Sequence, residues 1–374
     1  MIGRLCGPRR ACCVAKVRDR VAQPYRLFRS HGAVAVGALA VVAIVILDAL
    51  VRDEPTPRGD DLIYERMAQD PFSTHTFPFA YRVLVPTTVH VLPFGHTFSF
   101  SLLAWLATGI AAGFMYALLQ RVGASPSLAA GLALCLALSP PLLIVSLRQG
   151  RNVDAATVAV MVAAVLFMVD ERPRALAVTL AIGALTRESA MFLVPLAYAV
   201  WAGRLYDPEA LKRVAIVAAP AVAIYVALRL ALPTVGREQV AGYGGSLLGG
   251  RVDVLRSGLD ELATQLRRMF TVYGPLWFVA PLALRNMRLA QRGLVLVALC
   301  VVSMTFALDW GRIILLAAPI FYAAGAFVLR DERRLSVGVL AAFAVLIGVY
   351  AGYMQHSGVR TGIIETGPPP YPVR

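Results

Sequence analysis

The chain has 374 residues, of which 58% are hydrophobic and only 16% charged, with a formal net charge of +14. Soluble domains carry about 45–50% apolar and about 25% charged residues, so this composition argues against a soluble fold. The positive charge invites a nucleic-acid reading. That reading is rejected because the basic residues sit mostly in the N-terminal tail and in short loops between apolar blocks, where anionic lipid headgroups are the natural counter-charge.

The first 32 residues are a basic tail holding Arg9, Arg10, Lys16, Arg18, Arg20, Arg26 and Arg29. The first apolar block, about 33–51, is long enough to span a bilayer and reads as an uncleaved signal anchor with a cytoplasmic N-terminus. Further blocks follow near 97–120, 127–147, 153–169, 175–186, 189–203, 213–232, 270–284, 293–308, 313–329 and 335–354. The expected fold is therefore all-α, a polytopic integral membrane protein of about eleven crossings. The pair 175–186 and 189–203 is short enough to be a re-entrant hairpin. Residues 33–354 form one transmembrane domain, and 355–374 a Pro-rich tail.

Loop charge sets the orientation. Arg121, Arg172, Arg174, Arg204, Lys212, Arg213, Arg285, Arg288, Arg292, Arg330, Arg333 and Arg334 fall in alternate loops, which places those loops inside. The protein is expected in the inner or plasma membrane of the cell envelope. Two long segments, 52–96 and 233–269, are then extracytoplasmic. The Gly-rich run 242–250 lacks phosphate-loop spacing and reads as a flexible lid or connector. Residues 253–269 are expected to form a short amphipathic helix on the membrane surface. The cysteines show no CxxC spacing and none lies in an outside loop, so no disulfide framework is expected.

Ionisable residues of the outside segments carry the functional signal. The first loop holds Asp60, Asp61, Tyr64, Glu65 and Arg66, then Asp70, then Pro78-Phe79-Ala80-Tyr81-Arg82-Val83-Leu84-Val85-Pro86. Residues 61–69 are expected to be helical, with Asp60 and Tyr64 on one face. The ordinary reading of Asp60 is a helix N-cap, although Ile63 occupies the reciprocal capping-box position. Arg82, set in an apolar stretch, is read either as snorkelling to headgroups or as a fork held ready for a phosphate. Three more corners bring charge to the same side: Arg148, Arg151 and Asp154; Arg187 and Glu188; Asp309 and Arg312. Each corner alone fits a capped or paired helix end; together they place Arg and carboxylate on one face. His75, His90 and His96 lack zinc-ligand spacing. A divalent cation, magnesium or manganese, held by Asp60, Asp61 and a donor phosphate is compatible with the loop but not required by it.

With the motifs Asp60-Asp61-Leu62-Ile63-Tyr64, Pro78-Phe79-Ala80-Tyr81-Arg82-Val83-Leu84-Val85-Pro86 and Leu185-Thr186-Arg187-Glu188 in place, the chain resembles the GT-C superfamily of membrane glycosyltransferases. These enzymes use polyprenyl-phosphate-linked sugars. The resemblance implies that Asp60 or Asp61 acts as general base on an acceptor hydroxyl. It also implies that Arg82, Arg187 or Arg312 holds the lipid phosphate as it leaves, while Tyr64, Arg148, Arg151, Asp154, Glu188 and Asp309 line the substrate site. The implied partners are a polyprenyl-phosphate sugar, membrane lipids and an extracytoplasmic glycan, lipid or protein acceptor. The rival reading is a lipid or solute transporter or flippase. Transporters place functional charges near the midplane on broken helices, whereas the mid-span positions here are nearly all apolar.

Overall fold

A computed structural model describes residues 31–51, 60–147, 151–235, 249–306 and 309–357. The chain divides into Met1–His31 and Gly32–Arg374, so the first unit lies almost wholly outside the described residues. The basic tail, Cys6, Cys12, Cys13, most of the Gly-rich run and the Pro-rich tail fall outside them as well.

The described chain is overwhelmingly helical. In order it runs α1 (His31–Val51), α2 (Asp60–Gln69), a two-residue β1 (His75–Thr76), α3 (Leu84–Val91), α4 (His96–Arg121), α5 (Pro126–Ala137), α6 (Pro140–Leu147), α7 (Asp154–Val169) and α8 (Pro173–Thr186). Then come α9 (Leu193–Trp201), α10 (Pro208–Ala231), β2 (Thr234–Val235), α11 (Gly249–Asp260), α12 (Leu262–Tyr273) and α13 (Leu276–Val279). The chain closes with α14 (Arg288–Ser303), α15 (Trp310–Ile314), α16 (Ala318–Leu329) and α17 (Arg333–Ser357). Among the described residues, five helical stretches are long and apolar enough to cross a membrane: His31–Leu50, His96–Arg121, Pro208–Ala231, Trp310–Leu329 and Arg333–Ala351. Other expected spans are interrupted or short. The block 127–147 is broken at Ser139 before Pro140-Pro141, because proline offers no N–H and clashes with the preceding turn. The block 270–284 is divided at Gly274-Pro275 and continues as a short helix and a 3₁₀ segment, Ala280–Arg285.

The surface pattern is that of a bilayer protein. Large apolar side chains stay exposed along α1 (Val34, Leu39, Val42, Ile46), α10 (Ile216, Val222, Val226, Leu230) and α17 (Val337, Val345, Val349), while Asp154, Arg187, Arg268 and Arg312 are buried. Water would reverse this sorting, since burying a charge costs several kcal/mol or more unless it is paired.

Helices α1 and α4 approach at backbone distance. A Cβ on Gly109 would lie 2.5 Å from Val41 Cγ2 and 2.9 Å from the Gly37 carbonyl oxygen, and one on Gly113 would lie 2.9 Å from the Ala33 oxygen. Gly109 and Gly113 are thus a G-x-x-x-G pair used for close helix packing in lipid, where small residues replace the hydrophobic drive. Gly109→Leu is expected to force the helices apart and cost about 1–3 kcal/mol, the usual range for overpacking. A lowered melting temperature in detergent, with Gly95→Leu unchanged because its Cβ meets nothing within 4 Å, is the measurement that checks this.

The connecting segments are packed rather than trailing. Tyr64, Met67 and Ala68, one face of α2, join Val85 and Val89 of α3, Phe100 and Val153 in a buried cluster. Their spacing, i, i+3 and i+4, is the apolar stripe of a short amphipathic helix. The stripe holds α2, and with it Asp60, against the helices. Residues 253–269 differ from expectation. They form α11 and α12, and α12 turns its polar residues Gln265, Arg268 and Thr271 inward while Leu262, Leu266 and Phe270 stay exposed. The helix is amphipathic, but its polar face packs on protein instead of facing water. Tyr273 anchors it, stacking on Phe321 at 4.1 Å between ring centroids and donating its hydroxyl to the Ile314 carbonyl.

Candidate functional site

Helix α7 sets the frame. Asp154 is its first residue and Asp170 its C-cap, and 16 helical residues separate its ends by about 24 Å. At the Asp170 end, Arg121 donates from Nε and Nη2 at 3.0 and 3.1 Å to the carboxylate, and Arg172 lies 3.9 Å away. The Asp154 end carries a denser set of charges.

Asp154 is 3% exposed and each of its oxygens is taken by a different guanidinium. Arg187 Nη1 donates to Oδ1, and Arg312 Nε donates to Oδ2. Arg312 also reaches Asp60, its Nη1 donating to Oδ2 at 3.1 Å. Asp154 gains a further favourable contact from its place at a helix N-terminus, where the backbone dipole is positive. Asn152 completes the corner: its Oδ1 accepts from the backbone N–H of Val153 at 2.7 Å and of Asp154 at 3.2 Å.

A second group shares the α2 face and the Arg187 corner. Arg82 donates from Nε at 3.0 Å and from Nη2 to the two oxygens of Glu188, a bidentate fork, and from Nη1 at 2.9 Å to the Tyr64 hydroxyl. Phe79 lies against both, its ring 4.7 Å from the Arg82 guanidinium and 5.7 Å from the Tyr64 ring. Burial pushes the Tyr64 hydroxyl up to about 12, despite the nearby Arg82 charge, so it stays protonated throughout the physiological range. For Arg82 burial disfavours the cation, but Glu188 and Tyr64 outweigh it and the guanidinium stays charged.

The corner that supplies Arg187 and Glu188 depends on a glycine. A Cβ on Gly183 would stand 2.7 Å from Ala190 Cβ and 3.0 Å from Val160 Cγ1. Its absence lets the chain leave α8 at Thr186, extend at Arg187 and re-enter a 3₁₀ turn over Glu188–Phe192 against α7. Asp309 caps α15, its Oδ1 accepting the Arg312 N–H at 3.1 Å, which presents the Arg312 side chain to Asp60 and Asp154.

The fold thus joins Asp60, Asp154, Arg187, Asp309 and Arg312 in one network, and Tyr64, Arg82 and Glu188 in a neighbouring one. Arg151 stands apart in a third: its Nε donates to Glu65 at 2.8 Å and its Nη2 to Thr97 at 2.7 Å, with His96 3.2 Å from the same carboxylate. Asp61 is 7% exposed, whereas the Asp60 side chain is 28% exposed. Arg148 lies outside the described residues. His75 bonds the Asp70 carbonyl within the same loop, and His90 of α3 bonds the Ala68 carbonyl of α2.

Sequence reasoning gave no role to Glu65, Asn152 and Arg268. Glu65 lies in the first loop, and its partners Arg151 and His96 are distant from it in sequence. Arg268, 5% exposed, follows exposed Arg267. Nothing in the pattern distinguished the two.

The carboxylates are largely committed to guanidinium partners. Both oxygens of Asp154 and of Glu188, and one of Asp60, accept from arginine. Among the described residues no group of three or more His, Cys, Asp or Glu is arranged to hold a metal ion. Arg312 donates to one oxygen of Asp60, so a guanidinium already supplies positive charge beside that carboxylate. No family model matches the chain, and no curated protein is significantly similar to it.

Proposed function

We propose that the protein is a multi-pass membrane glycosyltransferase of GT-C type, with about eleven crossings and a cytoplasmic N-terminus. It transfers a sugar from a polyprenyl-phosphate donor to an extracytoplasmic acceptor. In that reading Asp60 takes the proton of the acceptor hydroxyl as its oxygen bonds to the anomeric carbon. The carbon–oxygen bond to the lipid phosphate breaks, and the electron pair leaves on the phosphate.

One observation carries the reading. A carboxylate with an open flank, Asp60, is held 3.1 Å from an arginine that shares a buried aspartate with a second arginine. Arg187 spends Nη1 on Asp154, and its Nε is buried without a hydrogen-bond partner. A guanidinium has five N–H donors, so Arg187 and Arg312 keep donors for a phosphate whose charge grows as the sugar departs. A base on one side and leaving-group donors on the other is what the transfer requires.

The test is transfer of radiolabelled sugar by the purified protein in proteoliposomes, across a panel of polyprenyl-phosphate sugars. Transfer is expected to persist in excess EDTA, because arginine rather than a metal ion balances the phosphate. A panel that yields no transfer would sink the reading and turn attention to lipid or solute transport. Transfer abolished by EDTA and restored by magnesium or manganese would show that the arginines do not suffice.

A further inference from the structure

Arg229 lies near the C-terminal end of α10, one turn after Tyr225. Its guanidinium carbon sits 3.5 Å from the Tyr225 ring centroid and 4.5 Å from that of Tyr81. Tyr81 is 4% exposed, packs edge-on against Phe77 at 6.1 Å, and immediately precedes Arg82. The end of α10 is tied to the same loop by β2, whose Thr234 and Val235 pair in parallel with His75 and Thr76 of β1. Arg229 is therefore fixed on two aromatic faces rather than left on a free tether.

Its surroundings are apolar. Val222, Val226 and Leu230 are 44%, 47% and 83% exposed on the same helix, which is one of the stretches able to cross a membrane. Among the described residues no carboxylate pairs with Arg229, unlike Arg82, Arg187 and Arg312. Stacking on aromatic rings satisfies the faces of a guanidinium and leaves its N–H edge unspent, and that edge matches a phosphate in geometry and charge. Cation–π contact with the two rings holds the guanidinium in place, more firmly where water is excluded. We propose that Arg229, Tyr81 and Tyr225 form a binding site for the phosphate group of a membrane lipid at the bilayer-facing edge of the protein. The site stands on its own geometry and does not depend on the transferase reading.

The same helix supplies a control, since Arg213 stacks on Trp201 at 4.0 Å at its opposite end. The experiment is native mass spectrometry of the full chain in detergent, titrated with dioleoyl phosphatidic acid, with dioleoylglycerol as the phosphate-free probe. Wild type is expected to retain one phosphatidic acid and no dioleoylglycerol. Arg229→Gln is expected to weaken retention about tenfold, as for the loss of one charge-assisted hydrogen bond. Arg229→Lys, which keeps the charge without the planar fork, should fall between, and Tyr225→Leu should weaken binding while leaving the charge in place. Arg213→Gln should match wild type. Unchanged retention in Arg229→Gln, or equal losses in Arg229→Gln and Arg213→Gln, would overturn the site. Displacement of the lipid by millimolar inorganic phosphate would overturn the lipid assignment in favour of a soluble anion.

Discussion

Asp154→Asn is expected to destabilise the protein by about 3–5 kcal/mol, the cost of removing one partner from a buried ion pair. The carboxylate is 3% exposed and stands between Arg187 and Arg312, themselves 10% and 8% exposed. Asparagine is nearly isosteric, so packing survives, but two guanidiniums lose their common counter-charge. Its amide also presents N–H groups where Arg187 or Arg312 needs an acceptor. Arg312 keeps Asp60, whereas among the described residues Arg187 keeps no carboxylate in hydrogen-bond contact, so the Arg187 corner is expected to loosen first. Thermal unfolding in detergent checks the loss. Arg330→Gln provides the contrast, because its pair with Asp331 is 35% and 80% exposed and such pairs are worth about 0–1 kcal/mol. An Asp154→Asn protein that melts with wild type would show that the network is not holding the corner together.

The hydrophobic record made the general architecture legible. Blocks that stayed helical over their full length, such as His96–Arg121 and Pro208–Ala231, were readable because an apolar run of about 20 residues matches the bilayer thickness only as a helix. The blocks at 127–147 and 270–284 are also apolar, and their breaks fall at Ser139-Pro140 and Gly274-Pro275, whereas Pro220 is accommodated inside Pro208–Ala231. Several site residues were readable for a related reason. A charge in an apolar context needs a partner, and Arg82, Asp154, Arg187 and Arg312 each announced that need. Which partner answers it was not readable. Arg312 meets Asp60 across 252 residues of chain and Asp154 across 158, and such pairings follow from how helices stack. Helix α12 was hidden differently. Its periodicity was visible, but in a bilayer the apolar face of an amphipathic helix can lie outward, so periodicity alone did not say that Arg268 points in.

On the transferase reading, Asp60→Asn is expected to lower the rate of sugar transfer by about 10²–10⁴-fold, the contribution of a positioned general base. The tandem Asp60-Asp61 left the base open, and the difference in burial now favours Asp60. Asp60 keeps 28% of its side chain exposed, with Oδ2 on Arg312, which leaves it the more accessible of the two carboxylates. Asp61 is 7% exposed on the packed side of α2, where an acceptor hydroxyl has little access. Asparagine at 60 still accepts the Arg312 hydrogen bond through its amide oxygen but cannot take a proton. The loss should therefore fall on kcat, with KM for the donor little changed and the melting temperature near that of wild type. Asp61→Asn should show the opposite balance, a lower melting temperature with the transfer rate per folded molecule retained. Single-turnover transfer in proteoliposomes, normalised to folded protein, separates the two. Loss confined to Asp61→Asn would move the base one residue along α2. Wild-type rates in both variants would remove the carboxylate from the chemistry altogether.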